Sequence, residues 1–431
     1  MFEPLKLADI DSLLEIVEER KQVAELDDVS RWIELALSRI PVLSDCRNAL
    51  CRIEEYFDET GLEGDDLHLW RAYRDLFAQR FSRIYDDILE VTDVIAGDMF
   101  NHFIRSPHLK NVKSRFAEGT IPFTFLGRTE DYYFTYTHDT ERPVAVISIP
   151  QGRISSVWNW CAIPHEIGHN IFAHFIDYER ELWGKDNHIL SEHRFKIRRL
   201  KYPLKTSTGK IIRLIMRSWL DEMMADIFGV LFIGPAFVMD RQEDAMVLSG
   251  KSGDAHISTW DVEEMSMVKH PTAYIRPLFC TMILRELDFQ HAADALDDRW
   301  CKLHKDVLKR GELLWIDDVP ASNPVDLLAI PIDEMLRIYS LILPVILHGK
   351  MKCLGGAALT DIIHFEHLDF VISTVVAEGL STGVNEFARH VKPRHILSAS
   401  RIAFERDPEK AETIHTSAMQ GLVHFKKKHM N

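Results

Sequence analysis

One short segment of this chain has the residue types and the spacing of a metal site with its own base. Residues 164–170 read PHEIGHN, with His165 and His169 four positions apart. On a helix these two histidines lie on one face about one turn apart, so both imidazoles can reach one ion. Glu166 lies beside that face, where its carboxylate can hold a water without taking a coordination position. This H-E-x-x-H spacing is typical of a zinc hydrolase site with a glutamate general base.

The segment around the motif predicts one apolar helix over about residues 162–183. Burying two histidines and a glutamate among apolar side chains is costly unless they are paired or bind a metal. Proline is tolerated only in the first turn of a helix, so Pro164 predicts that the regular helix starts close to His165. Gly168 lowers the helix propensity, but it lets another backbone approach closely.

A catalytic zinc site needs a third protein ligand and one open position. A second apolar stretch, residues 219–232, contains Glu222 and Asp226 four positions apart on one face of a predicted helix. Carboxylates in such surroundings need a metal or a hydrogen-bond donor. We therefore predict that Glu222 is the third zinc ligand and that Asp226 accepts the ring N–H of a ligating histidine. The alternative is a helix whose acidic side chains face solvent.

The two motifs together, H-E-x-x-H followed by E-x-x-x-D, resemble those of the gluzincin metallopeptidases. The resemblance implies His165, His169 and Glu222 as zinc ligands, Glu166 as the base and Asp226 as the acid behind a ligand. A further segment, residues 270–276, reads HPTAYIR. It is similar to the segment after the glutamate helix in the CAAX-protease and heat-shock-peptidase branch of that group, whose members are usually embedded in membranes. The resemblance covers roughly residues 140–290.

The expected activity is hydrolysis of peptide bonds, with a zinc-bound water as the nucleophile and Glu166 as the general base. The oxyanion formed needs a second donor, and His270, Tyr274 and Arg276 are candidates because they follow the glutamate helix. We expect His270 to be the catalytic donor, with a structural histidine as the alternative. For Arg276 we expect a salt bridge to a buried acid. The predicted strand over residues 144–149 is expected to pair with an extended peptide along its edge.

Two other functions fit parts of the pattern. The first is a catalytically silent, gluzincin-like regulatory or binding protein in which the zinc is structural or sensory. Glu166 argues against it, because a structural site fills all four positions and has no use for a general base. The second is a metal hydrolase that acts on a non-peptide amide, such as a deformylase. That enzyme uses a cysteine ligand from a Gly-Cys-Leu segment, which this sequence lacks.

Composition restricts the class of protein and its partners. The formal charge of −15 over 431 residues argues against general binding to nucleic acids or anionic membranes, and leaves a peptide or protein substrate as the expected partner. No apolar run is long enough for a membrane span. The six cysteines form no C-x-x-C pair and the first residues lack a secretory signal, so a cytoplasmic protein with reduced thiols is expected. None of these features indicates an oligomeric state.

The patterns along the chain predict a predominantly helical α+β fold with more than one domain. We expect a helical N-terminal region (1–115), a zincin-like metallopeptidase core with a small sheet and the active-site helix (116–290), and a helical C-terminal region (291–431). Loops are predicted near residues 318–324 and 355–356.

Residues 194–217 contain nine lysines and arginines and no acidic residue, with a predicted turn at 205–210. Two interpretations remain open for this segment. It is a solvated surface insertion, or it is a basic rim that selects acidic or carboxylate-bearing substrates.

Overall fold

A computed structural model of the chain describes residues 29, 31–33, 44–60, 65–81, 86–110, 112, 121–127, 133–136, 144–184, 190, 193–199, 207–249, 260–261, 266–267, 271–305, 312–317 and 326–429.

From residue 44 to the first strand, the described α-helices are α1 (Ser44–Thr60), α2 (Asp65–Ala78) and α3 (Asp86–Ile104). Apolar side chains of α1 and α2 form a small core with Phe123 and Val146 of the following sheet. Helix α3 belongs to the larger core of the molecule. It ends two residues before Ser106, as the Ser-Pro pair predicts, because a residue before proline is pushed out of helical geometry.

The central sheet has three strands: β1 (Phe123–Gly127), β2 (Phe134–Tyr136) and β3 (Val146–Pro150). Their spatial order is β1-β3-β2, with β1 parallel and β2 antiparallel to β3. The prediction that residues 144–149 present a free edge to a peptide is therefore wrong. Strand β3 is hydrogen-bonded on both sides, and its fully buried side chains belong to a central strand.

Side chains cover the outer edge of β1. Gln79, in the turn after α2, hydrogen-bonds both the N–H and the C=O of Leu126. Arg80 donates to the carbonyl oxygen of Thr124, and Asp93 of α3 accepts the N–H of the same residue. Strand β2 forms the other edge of this sheet. No described residue hydrogen-bonds the backbone groups of β2 that point away from β3.

The predicted helix over residues 162–183 is two helices, α4 (Ile163–Ala173) and α5 (Ile176–Leu182). Pro164 lies in the first turn of α4, as expected. The break follows from Phe175, whose backbone leaves the helical region (φ −103°, ψ 59°). Its buried ring packs edge-on against Phe103 of α3, with 5.7 Å between the centroids. Tertiary packing thus overrides the helical periodicity at this point.

The short strand β4 (Arg198–Arg199) is followed by the long helix α6 (Thr208–Ile233) and by α7 (Pro235–Ser249). The predicted turn over 205–210 is wrong in its second half, because residues 208–210 are the first residues of α6. Helix α4 packs closely along α6. A Cβ atom added to Gly168 would lie 2.7 Å from the Cα atom of Ala225, so the close backbone approach predicted for this glycine is confirmed.

The remaining described elements are mostly helical, and they are β5 (Trp260–Asp261), β6 (Ser266–Met267), α8 (Ile275–Glu286), α9 (Gln290–Leu303), β7 (Glu312–Asp317), β8 (Asp326–Pro331), α10 (Ile332–His348), α11 (Leu359–Ile362), α12 (His367–Ser381), α13 (Pro393–Arg406) and α14 (Ala411–His429). Strands β7 and β8 pair antiparallel and β4 joins β8, where the sequence pattern predicted helix. Short apolar runs do not distinguish a strand from a buried helix by periodicity alone. Gly355 and Gly356 form the predicted turn, both with positive φ.

One hydrophobic core extends from α3 to α14 and includes Ile167 of α4, Phe228 of α6 and Leu397 of α13. The C-terminal helices therefore share their core with the helices that carry the two motifs. The fold is a predominantly helical α+β fold, as predicted. Among the described helices, none combines the length and the apolar character that a membrane crossing requires.

Candidate metal centre

Helices α4 and α6 bring three side chains of the two motifs to one point. The Nε2 atoms of His165 and His169 are 3.1 Å apart. One oxygen of Glu222 lies 3.4 Å from Nε2 of His165, and its other oxygen lies 3.4 Å from Nε2 of His169. In the described part of the chain, these three residues are the group whose donor atoms converge closely enough to hold one metal ion.

The geometry of this group fits a zinc ion. Two imidazoles and one carboxylate are a ligand set of catalytic zinc sites, with bonds of about 2.0–2.1 Å. Tetrahedral bonds of that length place neighbouring ligand atoms about 3.3–3.4 Å apart. The Nε2 atoms are 3.1 Å apart and each lies 3.4 Å from one of the two Glu222 oxygens, so each of these pairwise distances is close to this value. His165, His169 and Glu222 would therefore hold the ion, and the described residues supply no fourth donor to this group.

Each of the two histidines has its own carboxylate on the ring nitrogen that points away from Glu222. Nδ1 of His165 lies 2.9 Å from Asp226, and Nδ1 of His169 lies 3.0 Å from Asp221. Asp226 occupies the position predicted for it, whereas Asp221 was not predicted as part of the site. The sequence gives little indication that Asp221 contacts a histidine. Asp221 directly precedes Glu222, and adjacent residues do not share a helix face.

The proton balance of this group follows from its contacts. Both Nδ1 atoms face carboxylates and are therefore the expected donors, so a second proton on His169 would lie on Nε2, which faces Nε2 of His165. Burial opposes the charged form of His169. The hydrogen bond to Asp221 and the negative charges of Glu222 and Glu166 outweigh burial and raise the pKa of His169 to about 9. The metal-free group thus carries a proton where zinc would bind, and zinc binding has to displace it.

Asp226 is held by Arg276 of α8. Nε and one terminal nitrogen of Arg276 donate to the two carboxylate oxygens over 2.9 and 2.7 Å. Burial would raise the pKa of Asp226, but Arg276 and His165 bring it well below its usual range. Arg276 also lies 3.2 Å from Glu222. The predicted salt bridge of Arg276 to a buried acid is confirmed, and the alternative in which Glu222 and Asp226 face solvent is wrong, because both are buried.

Glu166 lies in the first turn of α4, and its side chain is buried beside the histidines. Among the described residues its carboxylate has no hydrogen-bond or ion-pair partner, although its charge acts on His169.

The structure places two of the three candidates for the oxyanion donor, and neither of these two faces a substrate position. His270 lies outside the described residues. Tyr274 is buried in the core with its ring 5.9 Å from that of Trp300, so it is not available to a substrate. Arg276 is engaged with Asp226 and Glu222, which gives it a role in orienting the ligands.

The described parts of the basic segment are tied to neighbouring helices. Arg217 pairs with Glu179 of α5 over 2.7 Å. The backbone of Arg194 accepts a hydrogen bond from Arg337 of α10, and the N–H of Lys196 donates to Glu334. Residues 200–206 lie outside the described residues. A role of this segment in substrate selection stays a prediction.

Comparisons of this chain with protein-family models, with curated proteins and with solved structures gave no match. The functional assignment therefore depends on the geometry of the centre itself.

Proposed function

We propose that this protein is a zinc-dependent metallopeptidase of the gluzincin type, with a zincin-like core formed by the central sheet and helix α4. The observation that carries the proposal is the convergence of His165, His169 and Glu222: the two Nε2 atoms are 3.1 Å apart, and each lies 3.4 Å from a different oxygen of the Glu222 carboxylate. Helix α6 supplies both the third ligand and the two aspartates behind the histidines. An arrangement of this kind orients each ligand from behind.

When bound, zinc would supply Lewis-acid activation of a water and of a substrate carbonyl. Glu166 accepts the proton of the water that adds to the scissile carbonyl carbon. As the C–N bond breaks, Glu166 returns this proton to the leaving amine nitrogen. A buried carboxylate beside the ligands that no described residue pairs with suits this role. Asp221 and Asp226 keep both histidine rings oriented throughout.

Two features favour catalysis over the alternative of a silent protein with a structural or sensory zinc. A structural zinc site has four protein ligands, whereas three ligands converge in the described part of this chain. In addition, a structural site has no use for an unpaired carboxylate next to the ligands.

The outer edge of β2, where no described residue hydrogen-bonds the backbone, is the proposed docking site for an extended peptide substrate. The outer edge of β1 is covered by side chains, and β3 is central. Strand β2 lies against the helix of the motif, because Asn170 of α4 hydrogen-bonds Thr135 of β2 over 2.6 Å. Adding a strand at such an edge is a common mode of peptide recognition.

We propose the cytoplasm as the location. Cys51, Cys161, Cys280, Cys301 and Cys353 are free thiols. Burial raises the pKa of Cys161 and of Cys280 well above the usual value, which keeps both thiols unreactive. Reduced structural thiols are typical of that compartment.

The test of the peptidase proposal compares wild type with Glu166→Gln. Metal content after gentle purification is measured by elemental analysis, and cleavage of a mixed peptide library by mass spectrometry. We expect stoichiometric zinc in both proteins and turnover only in wild type. The exposed residue Glu179, which pairs with Arg217 on the surface, gives a control variant, Glu179→Gln, that retains both zinc and turnover.

Glu222→Ala tests the third ligand separately, and we expect it to lose both zinc and activity. Wild type without bound metal would overturn the assignment of the site. Wild type with zinc but without cleavage of any library peptide would favour the structural or sensory alternative.

A further inference from the structure

Asn170, the residue after the second histidine, connects the motif helix to the outer strand of the sheet. Its side chain is completely buried. The amide nitrogen Nδ2 donates to the backbone carbonyl of Glu166 over 2.8 Å and to the hydroxyl of Thr135 over 2.6 Å. The Thr135 hydroxyl in turn donates to the carbonyl oxygen of Val146 over 2.8 Å. A continuous chain of hydrogen bonds thus runs from the backbone of Glu166 through β2 to β3.

The bonding capacity of these groups fixes the direction of each hydrogen bond. The carbonyl oxygens of Glu166 and Val146 only accept, so the Asn170 amide donates at one end and the Thr135 hydroxyl at the other. Both N–H bonds of the Asn170 amide are used. Its Oδ1 atom is buried and has no partner among the described residues. An apolar side chain of similar size would avoid this unpaired oxygen, so packing alone does not account for an amide at this position.

We propose that Asn170 and Thr135 are positioning residues that hold the docking edge of β2 at a fixed place relative to Glu166. This inference rests on the proposed function, because it assumes that a peptide substrate pairs with β2. A substrate bound along β2 has its scissile carbonyl placed by the strand, whereas the base is placed by α4. The Asn170–Thr135 hydrogen bond is a direct side-chain link between these two elements. A strand that is not held in place binds an extended peptide more weakly, because ordering the strand then costs free energy on binding.

The inference predicts which kinetic constant depends on the tie. A long peptide that pairs along the whole of β2 needs the strand in place, whereas a short peptide held mainly at the centre does not. Cutting the tie should therefore raise KM for the long peptide and leave the constants for the short peptide nearly unchanged. Zinc content should stay the same, because neither Asn170 nor Thr135 contacts a proposed ligand side chain.

The test uses Thr135→Val, which keeps the branched shape and removes the hydroxyl, beside Thr135→Ser, which keeps the hydroxyl. Thr124→Val is the matched control. It removes a buried threonine hydroxyl from β1 at the opposite edge of the same sheet, where Thr124 bonds Asp93 and Thr92. We expect about a tenfold rise in KM for the long peptide in Thr135→Val, near wild-type values in Thr135→Ser, and lower stability with unchanged KM in Thr124→Val. Equal KM changes for both peptides, or for both valine variants, would overturn the proposal.

A second readout keeps this inference separate from the peptidase proposal. Amide hydrogen exchange at residues 134–136 reports how firmly β2 is held, whatever reaction the protein catalyses. We expect faster exchange there in Thr135→Val and in Asn170→Ala than in wild type or Thr135→Ser. If wild type cleaves no peptide, the proposed function fails, and exchange alone then decides whether the tie holds β2. Unchanged amide hydrogen exchange at residues 134–136 in both Thr135→Val and Asn170→Ala would refute the proposal that these residues hold β2 in place.

Discussion

Nδ1 of His169 lies 3.0 Å from the carboxylate of Asp221, one residue before the predicted ligand Glu222. The other histidine, His165, has the corresponding contact with Asp226 over 2.9 Å. The two acids differ in their surroundings. The side chain of Asp221 is 62% exposed, whereas that of Asp226 is 1% exposed and paired with Arg276. Helix α6 thus provides a carboxylate partner for each histidine: Asp221 at the surface for His169 and Asp226 in the core for His165.

Replacing Asp221 by alanine should weaken zinc binding without unfolding the protein. The carboxylate is exposed, so its loss should leave the zinc-bound protein folded, but His169 loses the partner that fixes its ring. Partners of this type typically contribute a factor of about 10–100 to metal affinity. Competition with a chromogenic chelator measures the change. Asp177→Ala, which removes an exposed aspartate of α5 that pairs with Arg180, is the control and should leave the affinity unchanged.

Zinc binding near neutral pH should release about one proton, because His169 is protonated below its pKa of about 9 in the metal-free protein. Calorimetry in buffers with different ionisation enthalpies counts this proton. The apparent affinity for zinc should rise with pH up to about 9. An affinity that is independent of pH over this range would contradict the protonated state of His169.

The same pKa shift sets the pH dependence of the stability of the zinc-free protein. The pKa of His169 is raised from 6.5 to about 9 in the folded chain. Protonation therefore stabilises the fold fully below pH 6.5, and this contribution is lost as the pH rises through about 9. Urea unfolding of the zinc-free protein should show a lower midpoint at the alkaline end of this window. The decrease should be smaller in His169→Gln, which has no group that titrates there.

Gly168→Ala should push α4 and α6 apart. The added Cβ atom would lie 2.7 Å from the Cα atom and 3.1 Å from the carbonyl oxygen of Ala225, and backbone atoms cannot rotate away. Overpacking of this kind costs about 1–3 kcal/mol in the free energy of unfolding. It should also weaken zinc binding, because the ligands come from both helices. Gly152→Ala is the matched control, with no atom within 4 Å of the added Cβ, and should change stability by less than about 0.5 kcal/mol.

Arg276→Lys should destabilise the protein and reduce its zinc affinity. A lysine cannot make the two parallel hydrogen bonds that Arg276 donates to Asp226, and it leaves a buried carboxylate poorly paired. Removing one partner of a buried ion pair costs about 3–5 kcal/mol in the free energy of unfolding. Lysine keeps the positive charge near Asp226, so the expected loss is smaller than this. Denaturant unfolding and chelator competition measure the two effects. Arg285→Lys, at a more exposed ion pair in the same helix, should cost no more than about 1 kcal/mol.

The sequence by itself determined the contents of the proposed metal centre. The H-E-x-x-H spacing predicts that His165 and His169 share a face, and the four-residue spacing predicts the same for Glu222 and Asp226. Gly168 predicts a close helix contact, and the contact with α6 is there. Each of these inferences concerns residues within one or two turns of a helix. Over that distance the helix geometry fixes which side chains are neighbours.

Tertiary structure decided the contacts between elements that are distant in the sequence. Asp221 faces His169 because of how α6 passes α4, and periodicity within α6 contains no such information. The place of β3 at the centre of the sheet depends on its pairing with β1 and β2. The break at Phe175 depends on a contact with Phe103. Local spacing thus indicates the proposed ligands, whereas packing between helices and pairing between strands specify the acids that face them and the order of the strands in the sheet.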